Sequence, residues 1–211
     1  MAGLPNLPRI PYPDAARGLL RSTVLAAVDE LVRSDGWAAT SVAALARAAG
    51  VSRQTIYNEF GNRRSIAEAY IIARLDELLD AAETLLREGG DLEGAMRICL
   101  ARFLDLVDTP LIQVALAADN DEVIGLVKIT NERATKRLAQ LFRSVEPSIG
   151  ERDAIVFADA LARVAVGHAV APTLPRDEAI DRMIRLTLAL VRATPAQTPR
   201  EVPKTGAPQA G

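Results

Sequence analysis

The feature that most constrains the fold is the spacing of three residues in the first third of the chain. Ala46 is followed four positions later by Gly50, and Ile56 comes six positions after that. Two short helices that cross steeply need this spacing: the small side chain permits close approach, the glycine a tight turn and the aliphatic residue an anchor. A plain helical hairpin with a glycine turn can have the same spacing. The spacing predicts helices over about residues 42–48 and 53–58.

The second of these two helices carries polar side chains on the face that Ile56 leaves free. Gln54 suits a bidentate contact with an adenine edge, and Arg53 suits a guanine edge or a phosphate. Neighbouring hydroxyl groups, and Arg63 beside a helix N-terminus, suit phosphates. The pattern predicts a helix-turn-helix that reads the major groove of DNA. Its predicted contacts are Thr40, Ser41, Ser52, Arg53, Gln54, Thr55, Tyr57, Asn58 and Arg63.

The charge distribution agrees with a DNA-binding N-terminal part, although the whole chain has a net charge of −2. Residues 1–74 hold nine arginines and six acidic residues, a balance of +3, whereas the remainder balances to −5. The local field, more than the total charge, governs association with a polyanion. The N-terminal third is therefore the part that favours nucleic acid.

The composition and the positions of prolines and capping residues favour helices along the whole chain. Aromatic residues make up only 4%, so the core must consist mainly of aliphatic residues and alanine, and leucine and alanine favour helices. An all-α fold follows, with a homeodomain-like three-helix domain over residues 14–62 and a larger bundle over 63–193. The proline-rich segments 1–13 and 194–211 are predicted to be a flexible and a disordered tail. Helices are predicted over about 14–36 (capped by Asp14), 42–48, 53–58, 63–88, 92–107, 110–118, 120–142, 151–171 and 176–193.

The N-terminal part carries a further pattern at residues 36–42, 45–46, 49–52, 55–57, 60 and 63–66. With these residues it resembles the DNA-binding domain of TetR-family regulators over about residues 16–70. Arg63 stands where the family usually has lysine, and Arg64 where an acid is common. Gln54 stands where a small residue or proline is frequent, so we expect it to alter operator choice rather than abolish binding. The resemblance implies a repressor that binds a near-palindromic operator as a homodimer and is released by a ligand in its C-terminal domain.

The two last predicted helices carry more apolar surface than one core face requires. A helix that is apolar on two sides must bury both, and a second subunit usually covers the surplus. The same residues would also complete a monomeric core, but a two-fold DNA reader favours the dimer. The predicted interface residues are Ala160, Val164, Gly167, Ile180, Ile184, Leu188 and Val191.

A ligand pocket is expected among the helices between about residues 75 and 145. Its candidate wall residues offer few charged or hydrogen-bonding groups, which favours a fatty acid or similar lipid over a sugar or nucleotide. The same residues equally fit a solid core. Control of lipid-metabolism, membrane-transport or efflux genes follows from the apolar pocket and the resemblance. The candidate wall residues are Leu78, Leu100, Phe103, Leu104, Leu111, Val114, Leu116 and Phe142.

Other sequence features point away from enzyme chemistry. We find no catalytic motif, and one histidine and one cysteine favour neither a metal site nor a cofactor. His168 is expected in the core or interface, and Cys99 is expected to be a buried structural residue. No apolar run approaches the ~20 residues of a membrane span, so a cytoplasmic location without membrane contact is expected. The alternatives are a DNA-binding activator or architectural protein without an inducer, or a helical interaction module.

Overall fold

The computed structural model describes residues 11–116 and 120–193, and over these residues the chain forms nine α-helices and no strand. The predicted all-α fold is confirmed. Most of the predicted N-terminal tail and all of residues 194–211 lie outside the described residues. The helices are α1 (Tyr12–Asp35), α2 (Val42–Ala48), α3 (Arg53–Phe60), α4 (Arg63–Arg87), α5 (Leu92–Val107), α6 (Pro110–Leu116), α7 (Asn120–Val145), α8 (Glu151–Val170) and α9 (Arg176–Ala193).

The start of α1 differs from the prediction. Asp14 was expected to cap this helix, but the helix begins at Tyr12, directly after Pro11. The backbone N–H of Asp14 donates to the Pro11 carbonyl at 3.0 Å, so Asp14 belongs to the first turn. An acidic residue there still interacts favourably with the helix dipole.

The first hydrophobic core joins α1, α2 and α3 to the beginning of α4. Val28, Leu45, Ile56 and Ile66 are each fully buried in it. Trp37, from the connection between α1 and α2, is also buried in this core. Residues of α6 and of the first half of α7 complete it, so the DNA-binding helices are not isolated from the rest of the chain.

The second hydrophobic core lies between α4, α5, α7, α8 and α9. The helix α7 packs along α8, α4 packs against α5 and α7, and α9 packs against α5 and α8. Met96, Phe142, Ala158 and Met183 are almost completely buried at its centre. Cys99 also lies in this core, and burial raises the pKa of its thiol to about 11, which confirms the expected structural cysteine.

The helix α4 belongs to both cores. Its first half contributes Ile66 and Ile71 to the first core, and its second half contributes Leu75 and Leu79 to the second. Its 25 residues extend for about 37 Å at 1.5 Å per residue. Any movement of this helix therefore changes the packing of both cores. Within the described residues, none of the helices combines the length and apolar character that crossing a membrane requires.

Candidate nucleic-acid interface and ligand cavity

The predicted turn between α2 and α3 is built from caps and one glycine. The Ser41 hydroxyl accepts from the Ala44 N–H at 3.1 Å and caps α2. Gly50 has a φ of +67°, where a residue with a Cβ would be strained, and the Val51 N–H then closes the turn onto the Ala46 carbonyl at 3.0 Å. Ala46 is buried beneath this crossing.

The helix α3 presents the predicted reading face to solvent. Its N-terminus is capped by the Ser52 hydroxyl, which accepts from the Thr55 N–H at 3.0 Å. Arg53, Gln54 and Asn58 are exposed, as is Tyr57, while Ile56 is fully buried on the opposite side. The helix therefore separates an anchored face from a polar face of the size that enters a major groove.

Two side chains on this face are connected in a way that the sequence did not suggest. The Gln54 Nε2 donates to Asn58 Oδ1 at 2.8 Å, one helical turn further on. This bond leaves the Gln54 carbonyl oxygen and its second N–H free, which is the donor and acceptor pair that an adenine edge requires. Asn58 therefore orients the amide that we expect to read the base.

Thr40 and Arg63 make structural contacts within the chain, and their predicted contacts with DNA phosphates stay predictions. The Thr40 side chain is buried, and its hydroxyl donates to the Gly36 carbonyl at 2.9 Å. The Arg63 guanidinium donates to the carbonyls of Thr40, at 3.1 Å, and Trp37, and it lies over the Trp37 ring at 4.5 Å from its centroid. Arg63 thus fixes the connection between α1 and α2 to the start of α4. These contacts join residues more than 20 positions apart, which local spacing does not reveal.

Glu59, on the inner edge of α3, was missed by the sequence analysis. Its side chain is only 8% exposed and receives hydrogen bonds from Arg17 at 2.9 Å and Arg21 at 2.8 Å. Burial alone would raise the pKa of this carboxyl, but the bonds from Arg21 and Arg17 outweigh burial and hold the pKa below its ordinary value. The recurrence of arginine at positions four apart on α1 was the available signal.

Two small, largely apolar cavities lie in the bundle where the two cores meet. The first is lined by residues of α4 to α8, and the second by residues of α4, α5, α7 and α8. They share four lining residues: Leu75, Phe103, Thr130 and Val166. Their volumes are about 50 Å³ and 40 Å³, room for a few water molecules. No charged side chain is among the described residues that line either cavity.

The predicted pocket residues divide into three groups. Leu78 and Leu100 line the second cavity, and Phe103 lines both. Leu104, Leu111 and Phe142 are instead buried in the two cores and line neither cavity, because apolar residues at helical spacing fit a core as well as a wall. The side chains of Val114 and Leu116 lie outside the described part of the chain.

The predicted interface residues are partly reassigned as well. Ile180 and Ile184 are only 4% and 2% exposed and belong to the core of their own subunit. Val164, Leu188 and Val191 are half-buried and pack against the same core. Ala160 is half-buried and Gly167 is exposed. Among the described residues, the large apolar side chains exposed on α8 and α9 are Ile155, Val156, Val170 and Leu186. His168 is half-buried near the end of α8.

A capped helix-turn-helix with an exposed polar reading face, set on a larger helical bundle, is the architecture of a DNA-binding regulator. The chain belongs to the TetR family. The family model of tetR-type bacterial regulatory proteins matches residues 24–70, and a tetracycline-repressor C-terminal domain model matches residues 91–189. Members of this family are transcriptional regulators and not enzymes.

Related proteins agree with this membership. The chain is 33% identical over 181 residues to the HTH-type transcriptional regulator AlkX of Mycobacterium tuberculosis, which covers 82% of this chain and 86% of that protein. The crystal structure of the TetR-family repressor AlkX from Dietzia sp. strain DQ12-45-1b, implicated in biodegradation of n-alkanes, superposes with a TM-score of 0.68 at 25% identity, over 82% of this chain and 97% of that one. Thermus thermophilus FadR, a TetR-family repressor in complex with lauroyl-CoA, shares the fold with a TM-score of 0.53 at 20% identity, over 89% and 100% of the two chains.

Proposed function

We propose that this TetR-family protein represses transcription as a homodimer and leaves its operator when a hydrophobic small molecule enters the bundle. A fatty acid or another lipid-like molecule is the favoured ligand class. The regulated genes would serve lipid metabolism or membrane transport and efflux. The Dietzia repressor, which is implicated in biodegradation of n-alkanes, supports a hydrocarbon-related ligand.

One observation carries the proposal: residues of α4 line both cavities, and α4 also belongs to the core of the DNA-binding domain. Ile71 and Leu75 line the first cavity, and Leu75, Leu78 and Leu79 line the second. The same helix packs beneath α3 through Ile66. A ligand that displaces α4 therefore also displaces the recognition helix.

The size of the cavities makes such a displacement necessary. Small-molecule sites enclose about 300–1,000 Å³, whereas these cavities hold about 50 Å³ and 40 Å³. A long-chain ligand must push their walls apart. The narrow form then corresponds to the DNA-bound state, and the ligand stabilises a wider form by the difference in its affinity for the two.

The homodimer is proposed to form through the exposed apolar face of α8 and α9. Val156, on α8, is 56% exposed, and Leu186 on α9 is 36% exposed. Ile155 and Val170 extend the same apolar surface of α8. A second copy that covers this face places two recognition helices in successive major grooves of a two-fold operator.

The experiment combines operator selection with ligand release. The operator is selected from random duplexes, and its affinity is measured by fluorescence anisotropy with and without decanoate or 1-decanol. We expect release by at least one of them, and reduced release in Val166→Phe, which narrows both cavities. Val145→Phe, at an exposed site of α7, is the control. Tight ligand binding with unchanged operator affinity would refute the inducer.

A second measurement addresses the two alternatives. Transcription from a promoter that contains the operator should fall when the protein is added, whereas an activator would raise it. The double variant Arg53→Ala with Gln54→Ala should lose operator binding and keep its helical content. Full retention of binding would favour a helical interaction module. Arg87→Ala with Gln140→Ala, at exposed positions outside the DNA-binding domain, is the matched control.

A further inference from the structure

The helix α1 makes polar contacts with two different helices, one set in each of its halves. In its first half, Arg17 and Arg21 donate to Glu59, near the end of the recognition helix α3. In its second half, Asp29 Oδ1 accepts a hydrogen bond from the hydroxyl of Tyr70 on α4, at 2.7 Å. The helix α1 therefore connects the recognition helix to α4.

The contact with α4 is part of a polar cluster formed by Asp29, Arg33, Tyr70, Arg74 and Glu77. The Asp29 carboxylate also accepts from Arg33, one turn further along α1, and lies 3.7 Å from the guanidinium of Arg74 on α4. That guanidinium lies over the Tyr70 ring, 5.3 Å from its centroid, and donates to Glu77 at 2.7 Å. Tyr70 itself is only 6% exposed.

The bond from Tyr70 to Asp29 restricts how α1 sits on α4. Apolar packing is not directional, whereas a hydrogen bond weakens steeply when its distance or angle changes. Burial raises the pKa of the Tyr70 hydroxyl, although Arg74 and Arg33 lower it, so the hydroxyl stays protonated at neutral pH and donates. The ion pairs of Arg33 and Arg74 are more exposed to water and are weaker restraints.

The position of α1 on α4 matters for a dimer that reads two half-sites. The bundle holds the second half of α4, whereas α1 holds the end of the recognition helix through Glu59. The separation of the two recognition helices in a dimer therefore depends on how each α1 sits on its α4. Half-sites one helical turn apart are separated by about 34–36 Å, and the protein must match that distance.

We propose that Tyr70 is a positioning residue for operator recognition, which holds the recognition helix, through Asp29 and α1, at the separation that one half-site spacing requires. This inference rests on the proposed homodimer and assigns its selectivity for operator spacing to a residue buried inside each subunit. Without the hydroxyl, α1 is free to shift slightly on α4, and the dimer accepts operators of altered spacing more readily.

The test measures how the operator affinity of the full protein depends on half-site spacing. The selected operator, and versions with one base pair inserted or deleted at its centre, are titrated by fluorescence anisotropy. Each altered spacing should weaken binding of the wild type. In Tyr70→Phe this penalty, relative to the variant's own affinity for the selected operator, should be about three- to tenfold smaller, the effect of one hydrogen bond.

The matched control is Tyr12→Phe, the same change at a residue of α1 that is 85% exposed, and it should keep the wild-type penalty. Tyr70→Phe keeps the buried ring and leaves Asp29 with two arginine partners, so we expect it to fold, which circular dichroism checks. A purely structural role would lower the affinity for all three operators by the same factor, and that result would overturn the inference.

A double-mutant cycle tests whether the hydroxyl acts through Asp29. In an Asp29→Ala background, Tyr70→Phe should have no further effect on the spacing penalty, and an undiminished effect there would also overturn the inference. If Tyr70→Phe behaves like the wild type while the wild type distinguishes the three operators, the inference fails and the proposed homodimer stands. If the wild type binds all three operators equally, both fail.

Discussion

Arg21 donates to the Glu59 carboxylate at 2.8 Å, and this ion pair joins α1 to the recognition helix α3. The same guanidinium lies over the Phe60 ring, 4.8 Å from its centroid. Arg17 donates to the same carboxylate one turn earlier in α1. The angle at which α3 leaves the protein surface therefore depends on a charged contact as well as on Ile56.

Replacing Glu59 with glutamine should loosen this junction. We expect a loss of about 1–2 kcal/mol in the free energy of unfolding, because two arginines lose a charged partner that is nearly buried but both remain partly hydrated. Operator affinity should fall as well, since α3 is less well fixed. Urea denaturation at pH 7 measures the first effect. Glu30→Gln, at an exposed position of α1, should change neither quantity.

The same variant predicts a pH dependence. The folded state holds the pKa of Glu59 below its ordinary value, so the stabilisation is complete above that ordinary value, near pH 4.5, and is lost as the pH falls through the lower folded-state pKa. The stabilities of the wild type and of Glu59→Gln should therefore converge on acidification below pH 4.5. A difference that grows on acidification would contradict the assignment.

Asn58→Ala tests the orientation of the reading amide. Without Asn58, the Gln54 amide is free to rotate, so we expect weaker discrimination between adenine and other bases at one operator position, with most of the affinity retained. A lost bidentate contact corresponds to about 1–3 kcal/mol of discrimination, which sets the upper limit. Binding to operators mutated at each position measures it. Gln54→Ala should reduce the discrimination between bases at the same operator position further. If Asn58→Ala changes the discrimination at a different position, Asn58 does not orient the Gln54 amide.

The local features of this protein were predictable from the sequence, and its long-range features were not. Ala46, Gly50 and Ile56 lie within ten positions of one another, so their types and spacing were sufficient to predict the turn. Arg63 donates to the carbonyls of Thr40 and Trp37, 23 and 26 positions away, and no local pattern distinguishes a guanidinium that supports a loop from one that contacts phosphate.

The apolar helices illustrate the same limit. Helical periodicity shows that Ile180 and Ile184 face something apolar, but a core and a subunit interface present the same pattern. Only the packing of α9 against α5 and α8 assigns them to the core of their own subunit. The cavities are equally hidden, because Leu100 lines a cavity and Leu104, one turn away, does not.

Val156→Arg tests the proposed dimer. Val156 is 56% exposed on α8, so an arginine fits the isolated subunit but places two like charges into a two-fold interface. We expect monomers in sedimentation velocity at micromolar concentration, with unchanged helical content and a large loss of operator affinity. Ile98→Arg, at a residue of α5 that is 43% exposed, is the control and should remain dimeric. A dimeric Val156→Arg protein would move the interface elsewhere.

Arg137→Met tests whether the ion pairs between α7 and α4 oppose the movement of α4 that a ligand would cause. Arg137, on α7, is 15% exposed and donates to Asp80 at 2.6 Å and to Glu83 at 2.8 Å, both on α4. Desolvation lowers the pKa of this guanidinium, but the bonds to Glu83 and Asp80 raise that pKa by more. Arg137 therefore stays charged. If a ligand must move α4 away from α7, these bonds oppose it.

Removing them should have opposite effects on stability and on response to ligand. We expect Arg137→Met to lower the free energy of unfolding by about 1–3 kcal/mol, since carboxylates on α4 lose a partner. The inducer concentration for half-maximal release from the operator should fall, because less free energy opposes the movement of α4. Lys136→Met, at the exposed neighbouring position, provides the matched control. If the half-maximal concentration stays constant while stability falls, the displacement of α4 from α7 is not the step that couples ligand to DNA.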